Sequence, residues 1–253
     1  MTLILGHRGA RAYYAENTLL SFEQAIIQGA DGIELDIHFS KDGQIMVFHD
    51  FTLDRMCGIK GAIYEFTTDA LKKFKVQFKN QYEPIPTLEE VLNLIVALQI
   101  KYNRKLFVNV ELKAGSDFYP DIEQQALALC YRYLPKDQVI FSSFDHFALK
   151  RIKELDATAL TGILTASALV DPWEYVEKLK ADYYHPNHQA LNGPILKAFT
   201  EHNILLNPYT VNDPKVARSF IENGLHAIIT DTPDVMVALN NEIQTRGSYE
   251  NSI

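Results

Sequence analysis

The chain has 253 residues, 47% of them hydrophobic and 22% charged, enough for one large barrel core or two small domains. Its formal net charge of -8 argues against broad electrostatic binding of DNA, RNA or anionic membrane, but not against a phosphate held in a local basic pocket. Cys57 and Cys130 are too few for a disulfide framework, nothing has zinc-ligand spacing, no basic-then-apolar leader precedes Leu3, and the most apolar stretches are broken by polar residues, so the expectation is a soluble cytoplasmic protein.

Strand-like runs fall at 3–6, 32–39, 45–48, 106–112, 139–143, 160–164, 183–186, 204–209 and 227–230. Between many of them lie amphipathic helical patterns at 18–28, 87–98, 122–133, 146–155, 172–179, 192–202 and 214–223. Thr87 with Glu90 three residues on, and Pro214 after Asp213, are helix-start signals, and Gly29 and Gly224 sit where helices stop. This alternation predicts a parallel sheet, and at this length an α/β (β/α)8 TIM barrel spanning 1–253 as a single domain.

Nine strands are one too many for that barrel. The link 40–44 holds no crossover helix, and Asp42-Gly43 is a hairpin signal, so the second strand is expected to overshoot the rim, turn and come back. Folding about that turn pairs residues whose numbers sum to about 85, which returns His49 close to Asp36. The stretch 51–86 then reads as a small insertion after the second strand, on the active face, in the position of a partial lid. Its basic residues around 72–79 read as a solvated helix face, and the polar tail from about 240 to 253 as frayed or weakly packed.

In such a barrel the side chains at the C-terminal strand ends face the active site. There the sequence places His7-Arg8, the pair Glu34 and Asp36 on one strand face, and Glu111 with Lys113, while His49 arrives by the hairpin. Three carboxylates at one mouth repel unless a cation neutralises them, and hard oxygen ligands favour Mg²⁺ or Ca²⁺. Two imidazoles suit a general acid and a general base, and Arg8 and Lys113 suit a phosphate. Together these describe metal-assisted phosphoester cleavage.

The ordered motifs His7-Arg8-Gly9, Glu16-Asn17-Thr18, Gly32-Ile33-Glu34-Leu35-Asp36, Lys41-Asp42-Gly43, His49-Asp50, Glu111-Leu112-Lys113, Ser143-Phe144-Asp145, Thr210-Val211-Asn212 and Thr230-Asp231-Thr232-Pro233 resemble the glycerophosphodiester phosphodiesterase family. The resemblance covers nearly the whole chain. It implies hydrolysis of a small-molecule glycerophosphodiester to sn-glycerol 3-phosphate and an alcohol. It implies His7 and His49 as acid and base, Glu34, Asp36 and Glu111 as ligands of one divalent cation, and Arg8 and Lys113 as phosphate contacts. Attack by the glycerol hydroxyl and attack by water both stay open.

Three positions depart from the family pattern. Ala15 replaces a proline before Glu-Asn-Thr, which should cost turn rigidity and spare the chemistry. Tyr209 replaces a tryptophan and is the aromatic expected to touch ligand. His38 is an unexpected histidine on the face of Glu34 and Asp36, near enough to join the metal.

Asp231 reads as a loop cap, Glu16-Asn17-Thr18 as a helix cap that also positions the first loop, and Phe22, Phe144 and Trp173 as core. The remaining histidines read as structural, with His185 and His188 placed where they could line the pocket. A lysophospholipid or sphingolipid substrate ranks below the water-soluble diester, for want of an evident apolar stretch that could dock on a bilayer. A metal-dependent aldolase and a non-catalytic glycerophosphate binder rank lower still.

Overall fold

A computed structural model describes residues 2–250. Eleven strands run β1 (Leu3–His7), β2 (Gly32–Phe39), β3 (Ile45–Val47), β4 (Lys75–Phe78), β5 (Gln81–Pro84), β6 (Phe107–Leu112), β7 (Val139–Ser143), β8 (Leu160–Thr165), β9 (Tyr183–Pro186), β10 (Leu205–Leu206) and β11 (Ala227–Thr230). The helices are α1 (Leu19–Ile27), α2 (Asp54–Cys57), α3 (Thr68–Leu71), α4 (Leu88–Tyr102), α5 (Ile122–Tyr133), α6 (His146–Leu155), α7 (Pro172–Leu179), α8 (Gly193–Glu201), α9 (Pro214–Glu222) and α10 (Pro233–Glu250).

Eight strands line up in the order β10-β9-β8-β7-β6-β2-β1-β11, every neighbouring pair parallel. The gap between β10 and β11 is bridged by Val211 N–H to Ile229 O at 2.9 Å and Ile229 N–H to Pro208 O at 3.0 Å. The result is a nearly closed TIM barrel with helices between its strands. The strand expected over 204–209 keeps a regular ladder only at Leu205–Leu206. Pro208 has no N–H to continue it, although Asn207 and Tyr209 still donate to Tyr184 O and Pro186 O at 3.0 and 3.1 Å.

The outward faces of the strands bury their aliphatic residues under the helices. Ile33, Leu35 and Ile37 of β2 pack in one cluster with Phe22 and Ala25 of α1 and Val91, Leu92 and Ile95 of α4. Each such fully buried Val, Leu, Ile or Phe side chain contributes roughly 1.5–3 kcal/mol. That face fixes β2, and the period-2 alternation sends Glu34, Asp36 and His38 to the barrel interior. Thr18 caps α1 by accepting from Ser21 N–H at 3.2 Å, and Thr87 and Glu90 form the capping box of α4.

The hairpin at Asp42-Gly43 forms as expected, with Gly43 at φ 78 and Ile37 paired to Val47, His38 to Met46 and Phe39 to Ile45. The register sums to 84 rather than 85, and Phe48 N–H reaches Asp36 O at 3.0 Å, so the chain returns beside Asp36. Beyond it, α2, a 3-10 turn at Ile63–Glu65, α3 and the β4–β5 hairpin enclose a separate small cluster of Met46, Phe48, Leu53, Met56, Ile63, Leu71, Val76 and Ile85.

Two expectations here are corrected. Residues 75–78 form a β-strand instead of a helix face, because Lys-Val-Gln-Phe alternates with period two, placing Val76 and Phe78 on the cluster. The C-terminal stretch is helical to Glu250 instead of frayed, with Asn240 donating to Thr2 O at 2.8 Å and Ile243 packed on the core, while the other residues over 241–246 are exposed, in keeping with the weak packing expected. Residues 251–253 of the expected frayed tail lie outside the described residues.

Candidate active site

His7 ends β1, and the chain turns sharply after it. Arg8 takes φ 52 and Gly9 φ 87, and a Cβ at Gly9 would lie 2.3 Å from Ser21 Oγ, so only glycine lets the turn lie on α1. The turn aims Arg8 N–H at Glu34 Oε2 at 3.0 Å, and Arg8 O accepts from Asn17 N–H and Ser21 Oγ, both at 3.0 Å. Strand register does the rest. His7 pairs with Glu34 across β1–β2, and Asp36 pairs with Glu111 across β2–β6.

One oxygen each from Glu34, Asp36 and Glu111 lies within 4.8 Å of the others, with all three side chains buried. Isolated buried carboxylates cost several kcal/mol each, so their neighbours decide their state. Burial and the charges of Asp36 and Glu111 push Glu34 well above the ordinary carboxylate range. Burial and Asp36 push Glu111 up to about 7, against the pull of Lys113. Burial works on Asp36 in the same direction, but Lys113 and Arg8 outweigh it and hold its carboxylate well below the usual range.

The cations are close: Lys113 Nζ is 2.7 Å from Glu111 Oε1 and 3.4 Å from Asp36 Oδ1, and Arg8 Nε is 3.4 Å from Asp36 Oδ2. Even so, Asp36 Oδ1 and Arg8 Nε are both buried without a hydrogen-bond partner among the described residues. A close group of hard oxygen donors, repelling one another and including an orphaned carboxylate oxygen, fits a divalent cation, and the orphaned guanidinium N–H beside it fits an anion.

Each histidine is oriented from behind by a carboxylate. His7 Nδ1 lies 2.7 Å from Asp231 Oδ1, with its Nε2 4.0 Å from Glu34 Oε2. His49 Nδ1 lies 2.5 Å from Asp50 Oδ1. Burial lowers the pKa of both imidazoles, for His7 against its bond to Asp231 and for His49 against the field of Asp36. Burial raises Asp50, but its bonds to Arg55 and His49 prevail and hold it at about 2.

His7, Arg8, Arg11, Glu34, His49, Glu111 and Lys113 line the charged side of one cavity of about 290 Å³. Its other wall is Phe144, Leu164, Tyr209 and Ile229, with Phe144 edge-on to Tyr209 at 6.0 Å. All eight site residues expected from the sequence therefore meet at one end of the barrel.

Several readings change. Asp231 does not act merely as a loop cap: its carboxylate holds His7 and accepts from Asn212 Nδ2 at 2.8 Å. Phe144 is cavity wall, 49% exposed, not core. His38 stays out of the acidic triad, its Nδ1 2.8 Å from Tyr119 Oη and its Nε2 3.2 Å from His49 O, so it braces the backbone of His49. His185 and His188 do not line the cavity; His185 lies against Asn207 inside the barrel and His188 against Tyr209 O. Ala15 has a bond of its own, its N–H donating to Gln81 Oε1 at 3.0 Å, which a proline could not make.

Fold and site thus define a (β/α)8-barrel protein whose C-terminal mouth gathers an acidic triad, two carboxylate-backed imidazoles and two cations. Residues 7–235 match the Glycerophosphoryl diester phosphodiesterase family, and the chain belongs to it. A glycerophosphodiester phosphodiesterase of Caldanaerobacter subterraneus subsp. tengcongensis is 34% identical over 94% of this chain and 97% of its own. A phosphodiesterase of Oleispira antarctica, solved in complex with the product sn-glycerol-3-phosphate, is 25% identical, with a TM-score of 0.85 over 95% of this chain and 97% of that one. The glycerophosphodiester phosphodiesterase of Thermotoga maritima is 30% identical, with a TM-score of 0.76 over 94% of this chain and 98% of that one.

Proposed function

We propose that the protein hydrolyses glycerophosphodiesters to sn-glycerol 3-phosphate and an alcohol. The observation that carries this reading is that Glu34 and Glu111 line one cavity with His7, His49, Arg8 and Lys113, while Asp36, buried beneath it, completes the acidic triad. The family and the relatives named above support the same substrate class.

Glu34, Asp36 and Glu111 are the ligands of one divalent cation, Mg²⁺ or Ca²⁺ by the hardness of their oxygens. When bound, such an ion neutralises the triad and polarises a phosphoryl oxygen. Arg8 and Lys113 hold the phosphate, the guanidinium by its free Nε–H and the ammonium as a point charge. Asp231 and Asp50 each engage the Nδ1 of one imidazole, leaving Nε2 as the atom that moves the proton. One histidine takes a proton from the attacking hydroxyl or water, and the other gives one to the leaving alkoxide. The apolar wall of Phe144 and Tyr209 covers the carbon skeleton of the substrate.

No helix among the described residues is long and apolar enough to cross a membrane. Two free buried cysteines, Cys57 and Cys130, accord with a reducing cytoplasm.

The test is release of glycerol 3-phosphate from glycerophosphocholine. The rate should vanish with EDTA and return with Mg²⁺ or Ca²⁺. His7→Ala and His49→Ala should each lose on the order of 10²–10⁴-fold in kcat. Unchanged turnover after complete metal removal refutes the cation, and unchanged turnover in either variant refutes that histidine's role.

A further inference from the structure

The insertion carries a group the mechanism does not yet use. Arg55, in the short helix α2, spans two carboxylates with one guanidinium. Its Nε and Nη2 sit 2.6 and 3.0 Å from Asp50 Oδ2 and Oδ1, a two-point fork. Its Nη2 and Nη1 sit 2.6 and 3.3 Å from Glu16 Oε1 and Oε2. Glu16 is itself held by Arg8 and Arg11, each at 3.0 Å, so it is a fixed anchor in the first loop. Among the described residues Asp50 has no comparable support: besides Arg55, its carboxylate meets His49.

We propose that Arg55 is a positioning residue that fixes the Asp50 carboxylate against the first loop and so sets the His49 imidazole for proton transfer. The inference rests on the reading of His49 given above. Asp50 lies one residue from His49, on chain that has left β3, and a carboxylate there can swing unless something locks both oxygens. A bidentate guanidinium does this; a lysine ammonium does not. Because the Arg55 side chain is about half exposed, its ion pairs contribute little to global stability, and its loss should register in turnover before folding.

The experiment measures kcat and KM for glycerophosphocholine in metal-loaded wild type, Arg55→Ala, Arg55→Lys, Asp50→Asn and the Arg55→Ala/Asp50→Asn double variant, with His49→Ala alongside. Arg55→Ala should lose on the order of 10–100-fold in kcat, the loss expected for a group that orients an active-site ligand, with a much smaller change in KM. The double variant should lose no more than the worse single variant, because both act through one chain of contacts. Millimolar guanidinium should restore part of the Arg55→Ala rate and none of the Asp50→Asn rate. Should Arg55→Ala fail to fold, Arg55→Lys carries the test and is expected to fall between the two.

Wild-type kcat in both Arg55 variants, or losses that multiply in the double variant, overturns the inference while leaving the activity intact. Turnover retained by His49→Ala overturns both this inference and the reading beneath it.

Discussion

His7 and Asp231 stand 224 positions apart in the chain and 2.7 Å apart in space. The barrel closes β1 against β11, with Gly6 opposite Thr230, and so delivers the carboxylate to the imidazole. Asp231 is not free to rotate, because Asn212 donates to its other oxygen. Replacing it by asparagine keeps the shape and removes the charge that fixes the tautomer of His7. Asp231→Asn should therefore lower kcat by about 10²-fold with KM little changed, in line with losses on removing groups that orient an active-site imidazole. An unaltered kcat would show that His7 needs no such partner.

The convergence of His7, His49, Glu34, Asp36 and Glu111 is legible in the sequence because the position of each follows from a strand end, a period of two or a tight turn. Asp231 and Asp50 were written in the same motifs. Their contacts with the two imidazoles are not legible there, since a carboxylate's partner across a closed barrel depends on register and not on spacing. Arg11 and Arg55 gave less still, standing in loop and insertion with no periodicity to aim them.

The segment 51–86 is fastened to the first loop at a second point besides Arg55. Gln81, at the start of β5, accepts from Ala15 N–H at 3.0 Å and donates from Nε2 to Tyr13 O at 3.1 Å. The same amide thus clasps both sides of the turn that precedes Glu16. Gln81→Ala should cost about 1 kcal/mol, the net worth of a hydrogen bond or two, and its effect should be local. The sharp readout is amide hydrogen exchange: Ala15 N–H loses its protection while the amides of β2 keep theirs. Continued protection of Ala15 would mean that the loop holds itself.

The β4–β5 hairpin behind this clasp was missed because its four-residue strands carry one clear alternation, and the lysines at 72, 73, 75 and 79 dominate it. The helix α10 was missed for a related reason. Its apolar residues bunch in one unbroken run, Val235 to Leu239, followed only by Ile243, so no helical period stands out, and only the packed barrel shows that Met236 and Leu239 face Ile4 and Ile228. By contrast β2, β7, β9 and β11 carry dense branched or aromatic runs between turn signals, and their bounds were readable to the residue.

The barrel interior as a whole holds neutral histidines whose protonation the fold opposes. Asn207 Nδ2 donates to His185 Nε2 at 2.9 Å, and its Oδ1 accepts from His226 Nδ1 at 2.7 Å, so His185 Nε2 must stay unprotonated to keep its bond. Burial, with the neighbouring His226, drives His185 down to about 3, and burial drives His38 to about 4 against its bond to His49 O.

An unfolded chain binds these protons as pH falls through about 6.5, and the folded chain does not until far lower. The folded pKa values are depressed, so this stability is fully present above about pH 6.5 and is lost as pH falls towards 4 and then 3. Glu34 and Glu111, raised by burial and repulsion, carry the opposite sign: in the metal-free protein they favour folding at low pH and lose that advantage as pH rises towards 7. The total slope is thus a difference, and a variant is needed to isolate one contribution. The stability gap between wild type and His185→Gln, from urea unfolding, should move against the wild type by about 1.4 kcal/mol between pH 7.5 and pH 5.5, the cost of withholding the proton that the unfolded chain takes up over that interval. Because the carboxylates titrate alike in both proteins they cancel from the gap, so a gap that stays constant with pH would mean that His185 takes up its proton in the folded barrel.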